Sequence, residues 1–180
     1  MRIIGGRLKR RPIPVINKLN VRPTTDMAKE ALFNILNNNF DFEDIDVLDL
    51  CSGTGSIAAE FASRGARQVI AVDIEQKCIS QINNIIQKFE LDNLRAIKAD
   101  GLHFLEICKL QFDIIFADPP YDYKKTNELV ETVISRKLIK EDGWLIVEHP
   151  ESLVLNTVKG FFEKRNYGRV NFSFFKLIEE

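Results

Sequence analysis

The chain has 180 residues, of which 45% are hydrophobic and 28% are charged, with 9 Gly and 6 Pro. This composition is typical of one globular domain and excludes collagen-like, coiled-coil and disordered chains. The formal net charge of −1 conceals an asymmetry, because residues 1–24 carry seven basic residues and no acidic one. Residues 25–180 carry 18 basic and 26 acidic residues. The sequence therefore predicts a basic N-terminal arm at residues 1–24 and a mildly acidic domain at residues 25–180.

The cysteines and the apolar segments favour a reduced, cytoplasmic protein. Cys51, Cys78 and Cys108 are too few and too far apart for a disulfide framework or a CxxC metal site. No uninterrupted apolar run approaches the roughly 18 residues that a membrane helix needs, and the first residues lack the apolar core of a signal peptide. We expect a cytoplasmic monomer that binds neither a membrane nor a metal.

The segment Arg22-Pro23-Thr24-Thr25-Asp26 predicts a turn that leads into a helix. Pro23 disfavours helical backbone at the residue before it, and Thr25 or Asp26 can cap the first exposed N–H groups of a helix. Apolar residues then recur at helical spacing, at Ala28, Ala31, Leu32 and Ile35.

From residue 45 onward, strand-like runs alternate with helical patterns. Five runs predict strands, at Ile45–Leu50, Gln68–Asp73, Leu94–Ala99, Phe112–Ala117 and Trp144–Glu148. Helical patterns lie between them, near Ser56–Arg64, Cys78–Phe89 and Asn127–Leu138. This alternation is typical of right-handed βαβ units and a parallel sheet.

The end of the chain departs from this alternation. Phe161–Tyr167 and Val170–Ile178 are extended, aromatic-rich runs joined near Gly168, which predicts an antiparallel hairpin. The complete pattern predicts an α/β fold, with a doubly wound, mostly parallel, seven-stranded Rossmann-like sheet and an antiparallel C-terminal hairpin.

A glycine-containing turn follows the first predicted strand, in the run Asp49-Leu50-Cys51-Ser52-Gly53-Thr54-Gly55. Gly53 and Gly55 allow a tight turn and close backbone approach, and Ala58 occupies the third small position of a GxGxxG/A pattern. Nicotinamide, flavin and S-adenosylmethionine (SAM) sites all use such turns, and some such turns bind no ligand. The motif alone does not choose among them.

Two acids at later strand ends favour an adenosine-containing ligand. Asp73 ends the second predicted strand, near the offset of about 20 residues at which a carboxylate binds ribose hydroxyls. Asp100 follows the third strand, where its carboxylate can accept a hydrogen bond from an adenine amino group. Either acid could instead cap a helix.

The run Asp118-Pro119-Pro120-Tyr121 ends the fourth predicted strand. The two prolines make a stiff turn that can hold the Asp118 carboxylate and nearby carbonyls as preformed acceptors. Tyr121 offers a flat face on which a planar base could stack.

Acceptors beside an aromatic face fit an exocyclic amine attached to a planar ring. The lone pair of such a nitrogen is delocalised into the ring, so acceptors for its N–H groups favour the pyramidal nitrogen that attacks and stabilise the charge developing there. SAM carries an activated methyl group, and alignment supplies much of the remaining catalysis. The pattern therefore predicts SAM-dependent N-methylation.

The run DxCSGTGS followed by DPPY resembles the class I SAM-dependent amino-methyltransferases. Four further segments resemble the RsmD family: RIIGG at residues 2–6, RPTTD at 22–26, ALFN at 31–34 and SRGA at 63–66. The resemblance implies methylation of guanine N2 in bacterial small-subunit (16S) rRNA, with S-adenosylhomocysteine as the product and no metal. The implied partner is 16S rRNA or an assembly intermediate of the small ribosomal subunit.

The resemblance also implies roles for individual residues. Asp49, Gly53 and Gly55 would hold the methionine part of SAM. Asp73 would bind the ribose, and Asp100 with the Gly101 backbone would lie against the adenine. The target guanine would be held and stacked by the catalytic segment, which is Asp118, Pro119, Pro120 and Tyr121. The RPTTD segment would close over the methionine end of the cofactor, through Thr24 and Thr25.

The basic arm would contact rRNA phosphates, which give affinity without reading sequence. The candidate residues are Arg2, Arg7, Lys9, Arg10, Arg11 and Arg22.

Several other functions share parts of this pattern. A nicotinamide-dependent oxidoreductase would use the glycine turn and Asp73 but leaves DPPY unexplained. A DNA adenine-N6 or a protein glutamine methyltransferase shares the amine chemistry but does not account for the RIIGG and RPTTD segments. A catalytically silent RNA-binding assembly factor would retain the fold without turnover.

Overall fold

The computed structural model describes residues 1–14 and 25–178. Five α-helices are described: α1 (Asp26–Asn37), α2 (Ser56–Ser63), α3 (Gln76–Phe89), α4 (Gly101–Ile107) and α5 (Thr126–Ser135). Seven strands are described: β1 (Asp46–Leu50), β2 (Gln68–Asp73), β3 (Leu94–Lys98), β4 (Phe112–Ala117), β5 (Ile139–His149), β6 (Phe161–Tyr167) and β7 (Val170–Phe175). Within these ranges, no helix is long and apolar enough to cross a membrane.

The seven strands form one sheet in the order β3-β2-β1-β4-β5-β7-β6. The first five strands pair in parallel, whereas β7 pairs antiparallel with both β5 and β6. The strand order reverses on either side of β1, so β1 and β4 flank the point at which such sheets bind ligands. The predicted fold class is confirmed.

Two elements differ from the sequence prediction. The helix α4 has seven residues, too few to give a clear periodic pattern, and it begins directly after Asp100. The strand β5 begins at Ile139 rather than Trp144, because its pairing with β4 shifts register between Phe112 and Ile114. The Asp142-Gly143 pair lies within that irregularity, where Asp142 has a φ of 61°. An Asp-Gly pair is typical of a turn between elements, but here it forms a bulge within one strand.

Alternation of side chains along the strands builds two apolar layers. Val47 of β1 packs on one face of the sheet with residues from α1, α2 and α3. Leu48, the next residue, packs on the other face with residues from α4 and α5. A sheet covered on both faces requires strands that are apolar on both sides, which explains the continuous apolar runs in the sequence.

Residues 1–14 pack against the domain. Ile3, Leu8 and Ile13 are buried, and Gly6–Leu8 forms a short 3-10 helix. The Glu60 side chain on α2 is fully buried and accepts hydrogen bonds from the backbone N–H groups of Ile4 (2.9 Å) and Gly5 (2.7 Å). The segment thus combines its positive charge with apolar packing and buried hydrogen bonds. The boundary at residue 24 stays a prediction, because residues 15–24 lie outside the described ranges.

A second set of contacts joins this segment to α1 and α2. Lys29 Nζ donates to the carbonyl oxygen of Arg2 (2.6 Å) and to Ser56 Oγ (3.0 Å), and it lies 3.5 Å from Glu60 Oε2. Arg64 Nε donates to Glu60 Oε1 at 3.0 Å. Burial lowers the pKa of Lys29, although the negative charge of Glu60 opposes that effect. A buried charge network of this kind requires every member to be paired.

Candidate active site

Four acidic residues lie at the carboxyl ends of adjacent strands on the same face of the sheet. Leu50 of β1 pairs with Val72 of β2 and with Ala117 of β4, and Ala117 pairs with Val147 of β5. One residue further along, this register places Asp73, Cys51, Asp118 and Glu148 in a row across the sheet. Asp49 lies two residues before Cys51 on the same face of the sheet, in register with Ala71 and Phe116.

A cleft of about 700 Å³ opens above this row. Most of the predicted cofactor and catalytic residues line it: Asp49, Gly53, Asp73, Asp100, Gly101, Asp118, Pro119, Pro120 and Tyr121. Residues far apart in sequence therefore meet because the carboxyl ends of parallel strands share one edge of the sheet.

The glycine turn after β1 is held by hydrogen bonds to residues at the ends of β1 and β2. Gly53 N donates to Asp73 Oδ2 and Glu75 N donates to Asp73 Oδ1, both at 2.8 Å. The Ser52 hydroxyl contacts the carbonyl oxygens of Asp49 (2.7 Å) and Val72 (3.2 Å). Asp73 thus holds the turn, and its oxygens keep further lone pairs for another donor.

The turn contains three residues with left-handed backbone, with φ values of 56° at Cys51, 52° at Gly53 and 76° at Gly55. Gly55 does not line the cleft. A Cβ at Gly55 would lie 2.7 Å from Ile82 Cγ1, so this glycine allows α2 and α3 to pack closely. Gly55 therefore contributes through packing, while Gly53 faces the cleft.

Asp49 is 1% exposed, and its Oδ2 accepts a hydrogen bond from Ala58 N at 3.1 Å. Burial raises the pKa of Asp49 to about 8; the Ala58 hydrogen bond opposes this rise and the charge of Asp73 adds to it. At neutral pH the Asp49 carboxyl is therefore mainly protonated. Burial also raises the pKa of the neighbouring Cys51 thiol, which keeps that thiol unreactive.

Asp100 and Thr25 both serve as helix caps. Asp100 Oδ1 accepts from His103 N at 2.9 Å at the start of α4, and the residue also lines the cleft. Thr25 Oγ1 accepts from Ala28 N at 3.2 Å at the start of α1, and Thr25 is not among the residues that line the cleft. Thr24 and Arg22 lie outside the described residues.

The Asp118–Tyr121 segment is a fixed turn at the mouth of the cleft. Asp118 N donates to the carbonyl oxygen of Leu50 (3.2 Å), and Tyr123 N donates to that of Pro120 (2.8 Å). The Tyr121 side chain is 45% exposed. This arrangement keeps the Tyr121 ring available to a planar group entering from outside.

The residues that line the cleft but were not among the predicted site residues include Ile74, Tyr123 and Glu148. Ile74 follows Asp73, lines the cleft and is 57% exposed, so it offers an apolar surface within the cleft. Glu148 is only 4% exposed and is the next-to-last residue of β5. The available signal in the sequence was an acid at the end of the apolar run Trp144–Glu148.

The predicted RNA-binding residues fall into two groups. The Arg7 guanidinium donates to the carbonyl oxygens of Phe89 and Glu90, both at 3.0 Å, and so caps the carboxyl end of α3. Arg2 lies 3.7 Å from Asp26. Lys9, Arg10 and Arg11 form the second group; all five of these residues are exposed, but no side-chain contact to the domain is described for these three. Across the part of the chain that the structure describes, no group of His, Cys, Asp and Glu side chains could hold a metal ion.

A family model described as conserved hypothetical protein 95 matches residues 1–176 of the chain. Curated relatives named ribosomal RNA small subunit methyltransferase D, the RsmD proteins, include one from Buchnera aphidicola subsp. Baizongia pistaciae. It is 31% identical over 153 residues, covering 85% of this chain and 78% of the relative. The chain belongs to the RsmD family. Another RsmD family relative, the putative rRNA methyltransferase YlbH from Bacillus subtilis, is 30% identical and covers 98% of both chains.

Solved structures share the complete RsmD fold. A hypothetical protein from Thermus thermophilus superposes with a TM-score of 0.86 at 23% identity, covering 98% of this chain and 99% of the other. The putative methyltransferase yhhF from Escherichia coli gives a TM-score of 0.84 at 24% identity, covering 97% and 96%. At these identities the likeness establishes the fold, over nearly the whole length of the chain.

Proposed function

We propose that this RsmD family member transfers the methyl group of SAM to the exocyclic N2 of a guanine in 16S rRNA. Family membership supports SAM-dependent methylation of small-subunit rRNA, because the curated relatives carry that activity in their names. The position on the guanine is the finer part of the proposal. It is supported by the row of acceptors at the strand ends, with Asp118 beside an exposed aromatic ring.

The residues of the cleft fit SAM. The exposed Ile74 offers an apolar surface to the adenine, and Asp73 offers acceptors to the ribose hydroxyls. Ser56 also lines the cleft and accepts from Lys29 Nζ, so its hydroxyl hydrogen can donate to the anionic end of the methionine part. Among the described residues, that hydrogen has no acceptor of its own. The protonated form of Asp49 avoids a second negative charge beneath the same group.

SAM supplies a methyl group bonded to a positively charged sulfur, and the chain supplies the position and the acceptors. Asp118 would accept a hydrogen bond from the target amine, which localises the nitrogen lone pair and stabilises the positive charge that develops on N2. Tyr121 would stack on the guanine and set the distance between N2 and the methyl carbon near 3–3.5 Å. The transfer would replace the C–S bond by an N–C bond, with the bonding electrons kept by sulfur, and the N2 proton would pass to the Asp118 carboxylate and from there to water.

The proposed substrate must present an unpaired guanine. In a duplex, guanine N2 lies in the minor groove and cannot enter a cleft at a strand end. We infer that the enzyme acts in the cytoplasm on 16S rRNA, or on an assembly intermediate of the small subunit, where the target base is unpaired or is extruded. The exposed cations Lys9, Arg10 and Arg11 would contact nearby phosphates.

The proposal is tested by mass spectrometry of nucleosides from 16S rRNA in cells with and without the gene. We expect the deletion to lose one N2-methylguanosine, wild type to restore it and Asp118→Ala to leave it absent. Asp122→Ala, an exposed acid on the same turn, is the control and should restore the modification. Unchanged N2-methylguanosine in the deletion strain would refute the proposal.

A further inference from the structure

We propose that Glu148 reads the N1–H group of the target base and thereby selects guanine over adenine. This inference rests on the proposed function, because it concerns the base that receives the methyl group. A cleft that holds an exocyclic amine against Asp118 accepts adenine N6 as readily as guanine N2 by that contact alone. Another group must therefore distinguish the two purines.

The register of the sheet places Glu148 beside Asp118. Ala117 of β4 pairs with Val147 of β5, so Asp118 and Glu148 follow them at neighbouring strand ends. Both side chains fall on the face that carries Phe116 and Ile146, since residues two apart on a strand share a face. Glu148 therefore lies on the side of Asp118 that is away from β1 and the cofactor residues.

Glu148 is 4% exposed and lines the same cleft as Asp118 and Tyr121. Its neighbours on the same face of β5 and β7 are apolar, with Ile146 and Phe172 fully buried. Glu148 therefore places a carboxyl group in the wall of the cleft, next to the position of Asp118, where a base bound against Tyr121 can meet it.

The strand end that carries Glu148 is held rigidly from behind. His149 Nδ1 lies 2.9 Å from the carbonyl oxygen of Pro150, and its Nε2 lies 2.8 Å from Ser173 Oγ. A carbonyl only accepts, so Nδ1 carries the hydrogen and Nε2 accepts from the Ser173 hydroxyl. Asn171 Nδ2 donates to the His149 carbonyl oxygen at 3.4 Å. A base-reading carboxylate requires this kind of fixed support.

The chemistry of the purine edge identifies the ligand. Guanine presents two adjacent donors, N1–H and the N2 amine, whereas adenine presents an amine next to an unprotonated N1. With N2 against Asp118 and the ring on Tyr121, a carboxylate at Glu148 would accept from guanine N1–H. The same carboxylate would face the lone pair of adenine N1 and repel it. A site built to receive a hydrogen bond rejects the analogue that cannot donate one.

The test uses an rRNA fragment in which the target guanine is replaced by 2-aminopurine. This base keeps the 2-amino group but has an unprotonated N1 and lacks the 6-oxo group. Because the loss of the 6-oxo group is the same for every enzyme variant, a change in the guanine to 2-aminopurine ratio between wild type and a Glu148 variant reports on N1. Methyl transfer from radiolabelled SAM is measured under single-turnover conditions. We expect wild type to methylate guanine at least about 100-fold faster than 2-aminopurine, the scale on which unpaired buried polar groups discriminate.

Glu148→Gln should change this preference, because the glutamine amide can donate to an unprotonated N1. We expect the rate on guanine to fall and the rate on 2-aminopurine to rise, so that the ratio falls about tenfold or more. Glu148→Asp should keep the preference for guanine at a lower rate, since it keeps the carboxylate. Glu151→Gln, an exposed acid three residues later, is the matched control and should leave both rates unchanged.

Two outcomes would overturn the inference. The first is that the wild-type enzyme methylates 2-aminopurine as fast as guanine. This outcome is measured without any variant. The other is a Glu148→Gln enzyme that binds S-adenosylhomocysteine normally by calorimetry and loses both rates equally, because that marks a role in shape alone. Failure of the proposed function is distinguishable, since wild type would then methylate neither fragment.

Discussion

Asp49 is a carboxyl group that the fold keeps protonated. Its raised pKa of about 8 means that the folded protein binds a proton which the unfolded chain releases above about pH 4. The stabilisation from this group is therefore complete below about pH 4 and is lost as pH rises towards 8.

Asp49→Asn should remove this pH dependence. The amide keeps an oxygen for the hydrogen bond from Ala58 N and cannot ionise. We expect the free energy of unfolding of wild type to fall between pH 7 and pH 8, and that of the variant to change less. Burial lowers the pKa of His149, so its contribution changes only below about pH 6.5 and does not enter this range. Urea denaturation at the two pH values measures the difference, and parallel curves for both proteins would contradict the interpretation.

At the residue scale, the positions of the acids at the strand ends could be predicted from the sequence. The exposure or burial of the residues around them could not. Asp73 and Asp118 could be predicted as cleft residues because each ends an apolar strand. Ile74 and Glu148 could not, because exposure of an isoleucine and burial of a glutamate are properties of the assembled sheet. Gly55 matched a ligand-binding pattern, yet its close neighbour is Ile82 of α3.

At the scale of elements, the 3-10 helix at Gly6–Leu8 shows why the RIIGG and SRGA segments belong together. Gly6 has a φ of 70°, and a Cβ there would lie 1.9 Å from the carbonyl oxygen of Ser63. A Cβ on Gly5 would lie 2.4 Å from the Arg64 guanidinium. The two glycines therefore allow the N-terminal segment to lie directly on the end of α2.

Gly6→Ala should destabilise the protein more than Gly168→Ala. Both glycines have positive φ, 70° and 67°, so each substitution incurs a backbone cost of about 1–2 kcal/mol. Gly168 has open space around its Cα, whereas Gly6 meets the Ser63 backbone, and such overpacking typically costs about 1–3 kcal/mol more. The free energy of unfolding is measured by urea denaturation. Equal changes for the two variants would show that the N-terminal segment can move away from the Ser63 backbone without a loss of stability.

Element type was predictable where the pattern was long and regular. The helix α3 has 14 residues with apolar side chains on one face, and β2 and β4 are apolar runs with clear ends. The short α4 and the early start of β5 were missed, because one depends on a cap and the other on pairing with β4. Packing of residues 1–14 was also missed, since its partners lie far away in sequence.

At the scale of the whole molecule, the basic residues are still concentrated at the N-terminal end of the chain and the acidic ones in the domain. Residues 1–14, however, pack against the domain and are not a free tail. Arg7 caps α3, so its replacement would disturb the fold as well as any RNA contact. Lys9 and Arg11 are exposed and test charge alone.

The double variant Lys9→Glu/Arg11→Glu should weaken rRNA binding and reduce its salt dependence. Losing two phosphate contacts reduces the slope of log K against log salt by about 1–2 units. The matched control is Lys109→Glu/Lys137→Glu, at exposed positions before β4 and β5, at the end of the sheet opposite the cleft. Filter binding across a salt series measures the slopes, and calorimetry should show unchanged affinity for S-adenosylhomocysteine in both. Identical slopes for the two variants would exclude a specific role for the arm.

The contacts of residues 1–14 also constrain the order in which the molecule assembles. Gly5 and Arg7 find their partners 55 and 83 residues further along the chain, on α2 and at the end of α3. Such distant contacts form only after the intervening chain has been ordered, since closing a long loop costs entropy before any contact repays it. We therefore expect residues 1–14 to dock late in folding, where they join α1, α2 and α3 once the adjoining part of the sheet has formed.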